Sequence, residues 1–323
     1  MWLMKRPKIY YKELRRLLYM NQKLDKQIIE FNKRYQDAVF SNERLMQEKK
    51  KRYLTNIKQF KLLSIIDDLK YRSISVNRFS TKGNCISAAK APYNTKEKRI
   101  AVYSCIVGSY DKIIEPVICD EDVDYFLFTD QEVPKNSAWK KVDVTQYEDY
   151  NKLTPIELNR KIKILPYEYL ADYDVSVYVD GNIECVAYIT PILADFGVSS
   201  FGVHYHSRRD CIYDEAIAVK HYRNIKTEET KEQLKVYASE GFPRHYGLYE
   251  NSILIRKHDD KEIRQLMELW WKEYQKYPTR DQYSLPYAVW KMNLREKILI
   301  IGNDISKNPR FNRINKHTVK NER

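Results

Sequence analysis

VYVDGNIEC, residues 177–185, runs from a short β-branched and aromatic strand straight into an acidic turn. Val177, Tyr178 and Val179 have the composition of a buried strand, and Asp180-Gly181-Asn182 is a turn signal. A carboxylate therefore stands where a strand stops, and in open α/β sheets ligands bind in the crevice at the carboxyl ends of strands. Upstream, NRKIKILPYEYLADYD (159–174) reads as a helix with Ile162, Leu165 and Leu170 on its buried side. The plain alternative is a turn that uses Asp-Gly-Asn only for its backbone geometry.

Two earlier segments repeat the layout. RIAVYSCIVGSYD (99–111) is an apolar strand that breaks at Gly108, and DVDYFLFTD (122–130) is a second strand ending on Thr129 and Asp130. A series of strands that each finish in polar or small residues is what a Rossmann-like nucleotide-sugar site requires. Downstream, HYHSRRDCIYDEA (204–216) crowds His204, His206, Arg208, Arg209, Asp210, Asp214 and Glu215 together. The histidines read as a surface strand pair before they read as metal ligands, whereas Arg208 and Arg209 carry the planar fork that pairs with phosphate oxygens. GFPRHYGLYENSILIRKH (241–258) sets Glu250 and Asn251 ahead of a strand over 252–255. EIRQLMELWWKEYQKY (262–277) is an amphipathic helix whose two tryptophans pack on the sheet, and TRDQYSLPYAVWK (279–291) is a helix opened by Arg280-Asp281-Gln282. There Asp281 reads either as an N-terminal cap or as a site carboxylate. A last strand over 297–302 precedes a basic tail read as frayed.

The order of these motifs resembles that of GT-A glycosyltransferases, above all the family 8 type, and the strand-plus-DGN variant resembles the TOD1/MUCI70 glycosyltransferase-like family. The likeness spans roughly residues 99–302. It implies an α/β GT-A domain that moves a sugar from a nucleotide-diphosphate donor to a glycan or lipid-linked acceptor, as in surface polysaccharide synthesis. On that likeness Gly108, Tyr110 and Asp130 meet the donor. Arg160 or Lys163 is the basic residue of the helix before the motif, and Asp180 and Asn182 stand for the Asp-x-Asp metal ligands. Glu250 and Asn251 lie by the sugar, and Asp281-Gln282 contacts it near the anomeric carbon, so that Asp281 and Glu250 are the expected catalytic carboxylates. His317 and Lys320 resemble the residues that close over metal and diphosphate. A divalent cation, Mn²⁺ or Mg²⁺, is the implied cofactor. Asn182 leaves its site one negative charge short, a shortage that Asp130, His317 or the basic side chains would have to meet.

Charge separates the chain into parts. Residues 1–98 hold 24 Lys+Arg against 9 Asp+Glu, a net +15, whereas residues 99–304 hold 27 against 34, a net −7. A nucleic-acid-binding body would not carry that balance, so no nucleic acid is expected. Tyr10, Leu14, Leu17, Asn21 and their successors to Leu45 recur at alternating steps of four and three, the pattern of a coiled coil. The boundaries expected are a basic helical extension over 1–75, a linker over 76–98, the glycosyltransferase-like domain over 99–304 and a basic tail over 305–323. The extension would form a homodimer or an intramolecular hairpin, and its basic face would suit an anionic membrane. Five cysteines without a Cys-x-x-Cys pair, together with the lack of a signal peptide or apolar span, point to the cytoplasm, peripheral to the inner membrane face.

Overall fold

A computed structural model describes residues 98–108, 111–195, 199–222 and 227–314. The heptad extension, the linker, Tyr110, His317 and Lys320 lie outside the described residues. The first strand, β1 (Ile100–Ile106), pairs in parallel with β2 (Val123–Thr129) and with β4 (Val175–Val179). On the far side of β2 lies β3 (Lys140–Asp143). β4 pairs antiparallel with β7 (Tyr249–Lys257), which carries β6 (Phe201–Tyr205), and β8 (Ile298–Ile300) closes the edge. The seven-stranded sheet, in the order β3-β2-β1-β4-β7-β6-β8, is therefore mixed and mostly parallel. A two-stranded ribbon pairs β5 (Ile183–Cys185) with β9 (Phe311–Arg313).

Alternation along the strands builds a core on each face. Tyr103, Tyr178 and Leu254 face one way, onto α1 (Pro155–Ile164) and α5 (Lys261–Lys276) through Leu158, Ile162, Leu266 and Trp270. Val102, Val177, Val179 and Ile255 face the other way, onto Ile192, Ile305 and Phe311. Trp270 is fully buried and Trp271 nearly so, as the amphipathic spacing requires.

The helix expected over 159–174 starts earlier and stops sooner. Thr154 and Glu157 form a reciprocal capping box and Pro155 opens α1, all favourable at a helix start. Pro166 then disfavours helical backbone at Leu165, and only a single turn, α2 (Pro166–Tyr169), follows. The remaining helices are α3 (Ile212–Tyr222), α4 (Thr227–Ser239) and α6 (Asp281–Lys291). Among the described residues no helix is long and apolar enough to cross a membrane.

Two sequence readings are corrected. His204 and His206 are not a surface pair: they are 0 % and 8 % exposed, because β6 lies inside the sheet and Asn308 and Gly302 cover His204. Residues 305–314, grouped by sequence with a frayed tail, form a 3-10 turn and β9. Phe311 fills the second core, while Arg310 donates to the Tyr188 carbonyl. A tail with a strand partner and a buried aromatic has reason to stay down; net charge alone conceals that.

Candidate active site

α1 carries Arg160 and Lys163 three residues apart, hence on one side of the helix, over the carboxyl ends of β1 and β4. Lys163 is 2 % exposed. Its Nζ lies 2.9 Å from Asp281 Oδ2 and 3.4 Å from Asp180 Oδ1, and stands 5.1 Å over the Tyr178 ring. Arg160 Nε is 3.5 Å from Asp281 Oδ1. One buried ammonium therefore joins the end of β4 to the start of α6.

Local structure brings each partner there. The Asp180 N–H donates to the Ser252 carbonyl (2.9 Å) and its own carbonyl accepts from the Ile183 N–H, closing the DGN turn. A Cβ on Gly181 would come within 2.9 Å of Ile106, so glycine lets the turn sit against the end of β1. Asp281 is not the side-chain cap of α6, although it opens that helix. Its backbone carbonyl accepts from Trp270 Nε1 (2.9 Å), which pins the helix start to α5 and leaves the carboxylate facing Lys163. Gln282 Nε2 donates to the Tyr249 carbonyl (3.0 Å), and Asn251 Nδ2 approaches Asp281 Oδ2 at 3.4 Å. Asn251 Oδ1 is buried and makes no hydrogen bond.

Burial alone would raise the Asp281 carboxyl, but Lys163, Arg160 and Arg280 outweigh it and hold it well below the usual carboxylate range. Burial opposes the charge on Arg160, and Asp281 and Asp180 more than restore it. The cations around Asp281 thus favour its ionised form. Glu250 is also held low: burial raises it, while Arg313, His206 and Ser252 lower it further. Arg313 Nη2 lies 2.9 Å from Glu250 Oε1.

The remaining expected residues are placed differently. Asp130 accepts from the Gly108 N–H (3.0 Å) and from the Tyr150 hydroxyl (3.4 Å), so its carboxylate braces the loop after β1. Gly108 takes φ 72 and packs toward Pro155, where a Cβ would lie 3.1 Å away; its freedom serves that approach. Arg209 pairs with Glu215, whose other oxygen lies 3.7 Å from Arg280, at one remove from Asp281. Arg208 is exposed, with its N–H toward His206 Nδ1. Tyr110 and His317 fall outside the described residues.

For a divalent ion at the DGN turn the donors are the Asp180 carboxylate and Asn182 Oδ1, the latter buried without a hydrogen-bond partner. An all-oxygen set of this kind fits a hard cation. Sequence reasoning missed three side chains. Asp111 Oδ2 would lie 3.5 Å from a Cβ on Gly181, beside the turn that lacks its second acid. Its place at the end of GSYD, one strand over from DGN, was the available signal. Arg313 lies in the basic stretch that reads as a tail, and Arg280 directly precedes the acid that reads as the site residue.

A WbbM bifunctional glycosyltransferase in its apo form matches 66 % of this chain at 11 % identity, with a TM-score of 0.40. The match spans 40 % of that chain's length. Mouse xyloside xylosyltransferase 1, also apo, matches 62 % of this chain and 84 % of its own at 8 % identity, with a TM-score of 0.37. Among curated protein sequences nothing matches. Residues 74–316, well over half of the chain, match the TOD1/MUCI70, glycosyltransferase-like domain, and the chain belongs to that family.

Proposed function

We propose that this protein is a glycosyltransferase that moves a sugar from a nucleotide-diphosphate donor to a hydroxyl of a glycan or lipid-linked acceptor. The observation that carries the reading is Lys163, a buried ammonium shared by Asp180 and Asp281 at the carboxyl edge of the sheet. Sugar transfer breaks the bond between the anomeric carbon and the phosphate oxygen and forms one to the acceptor oxygen, whose hydroxyl proton passes to the departing diphosphate. Negative charge grows on the leaving diphosphate and positive charge on the sugar. Lys163 and Arg160 supply fixed positive charge for the first, and Asp281 supplies fixed negative charge for the second. Because Asp281 is held ionised, its role is electrostatic and not that of a base tuned near neutrality. Asn251 and Gln282 hold the Asp281 end of α6 against β7 and so set its distance from the sugar.

Asp180 and Asn182 are the residues that would hold Mn²⁺ or Mg²⁺, which when bound supplies Lewis-acid charge to the diphosphate. On its charge and heptad spacing we further propose that the basic extension contacts an anionic membrane surface at the cytoplasmic side, which would suit a lipid-linked acceptor, and pairs as a homodimer or folds as an intramolecular hairpin. A second reading, a catalytically silent domain that binds nucleotide sugar or glycan, is favoured by one observation: Asn182 stands where a second acid would strengthen metal binding. Hydrolysis and binding assays across nucleotide sugars, with and without Mn²⁺, separate the two. Turnover that disappears in Asp180→Ala and Asp281→Ala supports the enzyme. Binding of a donor without turnover of any sugar supports the silent domain.

A further inference from the structure

A second cluster of ligating side chains lies away from the lysine–carboxylate group, where the 204–210 segment turns into α3. Cys211, Asp214 and His245 each offer one donor atom, and the three atoms lie within 4.8 Å of one another. Cys211 and Asp214 are buried at the start of α3, whereas the His245 side chain, on the loop before β7, is 44 % exposed and leaves a route from solvent. His245 holds a left-handed backbone, φ 57, which is uncommon outside glycine. Asp210 Oδ1 is 2.8 Å from His245 Nδ1, and the Gly247 N–H donates to the Asp210 carbonyl (2.9 Å). The loop and the helix start are thus already drawn together around the three donors.

Donor chemistry separates this cluster from the DGN turn. A thiolate, an imidazole and a carboxylate together suit Zn²⁺, which accepts sulfur, nitrogen and oxygen in tetrahedral sites, while Asp180 and Asn182 offer oxygen alone. Asp210, 2.8 Å from His245 Nδ1, is a brace that orients the ring when the ion takes Nε2. Arg244, 59 % exposed, pairs with Asp214 and competes with a cation for that carboxylate.

We propose that Cys211, Asp214 and His245, supported by Asp210, form a Zn²⁺ site that staples the start of α3 to the loop before β7. Binding would release the Cys211 thiol proton, because the thiolate is the ligand. The stapled loop runs directly into Tyr249, Glu250 and Asn251, so the ion would fix one wall of the candidate active site without entering it. The inference does not depend on the transferase reading.

The test uses the full chain, stripped with chelator and titrated with Co²⁺, with Zn²⁺ as competitor. One equivalent of Co²⁺ is expected to raise a sulfur-to-cobalt charge-transfer band in the near ultraviolet, and Zn²⁺ should displace it. Cys211→Ser should abolish the band. His245→Ala should weaken Co²⁺ binding at least ~10-fold, and Asp210→Asn by about 10–100-fold. Asp180→Ala should leave the band in place, which separates this site from the DGN turn. A wild-type protein with no such band, a band that survives Cys211→Ser, or affinity unmoved by His245→Ala would overturn the proposal. If Cys211→Ser does not fold, the His245→Ala titration decides.

Discussion

Asp180 and Asp130 follow the carboxyl ends of the parallel strands β4 and β2, which flank β1, and the two acids make different contacts. Asp180, after β4, faces the ammonium of Lys163 in a buried cluster that also holds Asp281 and Arg160. Asp130, after β2, spends its carboxylate on the Gly108 N–H and the Tyr150 hydroxyl. The difference comes from what lies above each strand end. α1 packs on β1 and brings Lys163 to the acid that follows β4, whereas the acid after β2 lies beside the Gly108 turn, whose backbone N–H needs an acceptor. An acid at a strand end is therefore ambiguous until the element packed over it is known.

The largest effect expected on this contrast is from Lys163→Met, which leaves Asp180 and Asp281 without their shared cation. Breaking a buried pair by removing one partner costs about 3–5 kcal/mol. Urea unfolding should report it, and a loss below about 1 kcal/mol would mean that the cluster is solvated. Next is Asp281→Asn, which keeps shape and removes charge. Turnover of nucleotide sugar should fall about 10²–10³-fold, the scale of losing one preorganised electrostatic group. Equal losses in Asp130→Asn would erase the distinction drawn above.

Acid offers a third way to sharpen it. His204 and His258 are each pushed down to about 4, chiefly by burial, with Arg313 adding to it at His204 and Arg256 and Arg264 at His258. Glu250 and Asp304 act on His204 in the opposite sense. Unfolded histidines take up protons near pH 6.5 while these resist until about 4, so the unfolded state binds more protons in between and stability falls as pH drops through that window. The cost is on the order of 3 kcal/mol for each histidine once both states are protonated. His258→Gln should flatten part of that slope in melting temperatures measured from pH 7 to 4. Asp281 has the carboxylate sign: its stabilisation is complete above the unfolded value near 4 and disappears only as pH falls through its lower folded value. Acid should thus attack the buried histidines before it reaches the lysine–carboxylate cluster. The smallest effect is that of Asp130→Asn on stability, about 1 kcal/mol from weakened hydrogen bonds to the Gly108 turn.

Much of the architecture was legible. The apolar runs at 100–106, 123–129 and 175–179 announce strands by composition, the spacing of 261–276 announces an amphipathic helix, and the DGN turn marks a strand end. The 160/163 spacing places both basic residues on one side of a helix without any knowledge of the fold. Less legible were features set by partners distant in sequence. Arg313 meets Glu250, and Phe311 reaches the core, only because β9 pairs with β5, a contact between residues more than a hundred positions apart. Cys211 and His245 likewise meet through a turn and a loop that no local pattern connects.

By itself the sequence determined the strands β1, β2, β4, β7 and β8, the acidic strand ends and the likeness to the TOD1/MUCI70 family, because these follow from period, composition and motif order. Tertiary structure alone decided that Lys163 is shared by two carboxylates, that Asp130 serves the backbone and that residues 305–314 belong to the folded body. The reason is that period and propensity are local, whereas the partner of a charge depends on which distant element is packed against it. Removing that charge from water makes the choice of partner count.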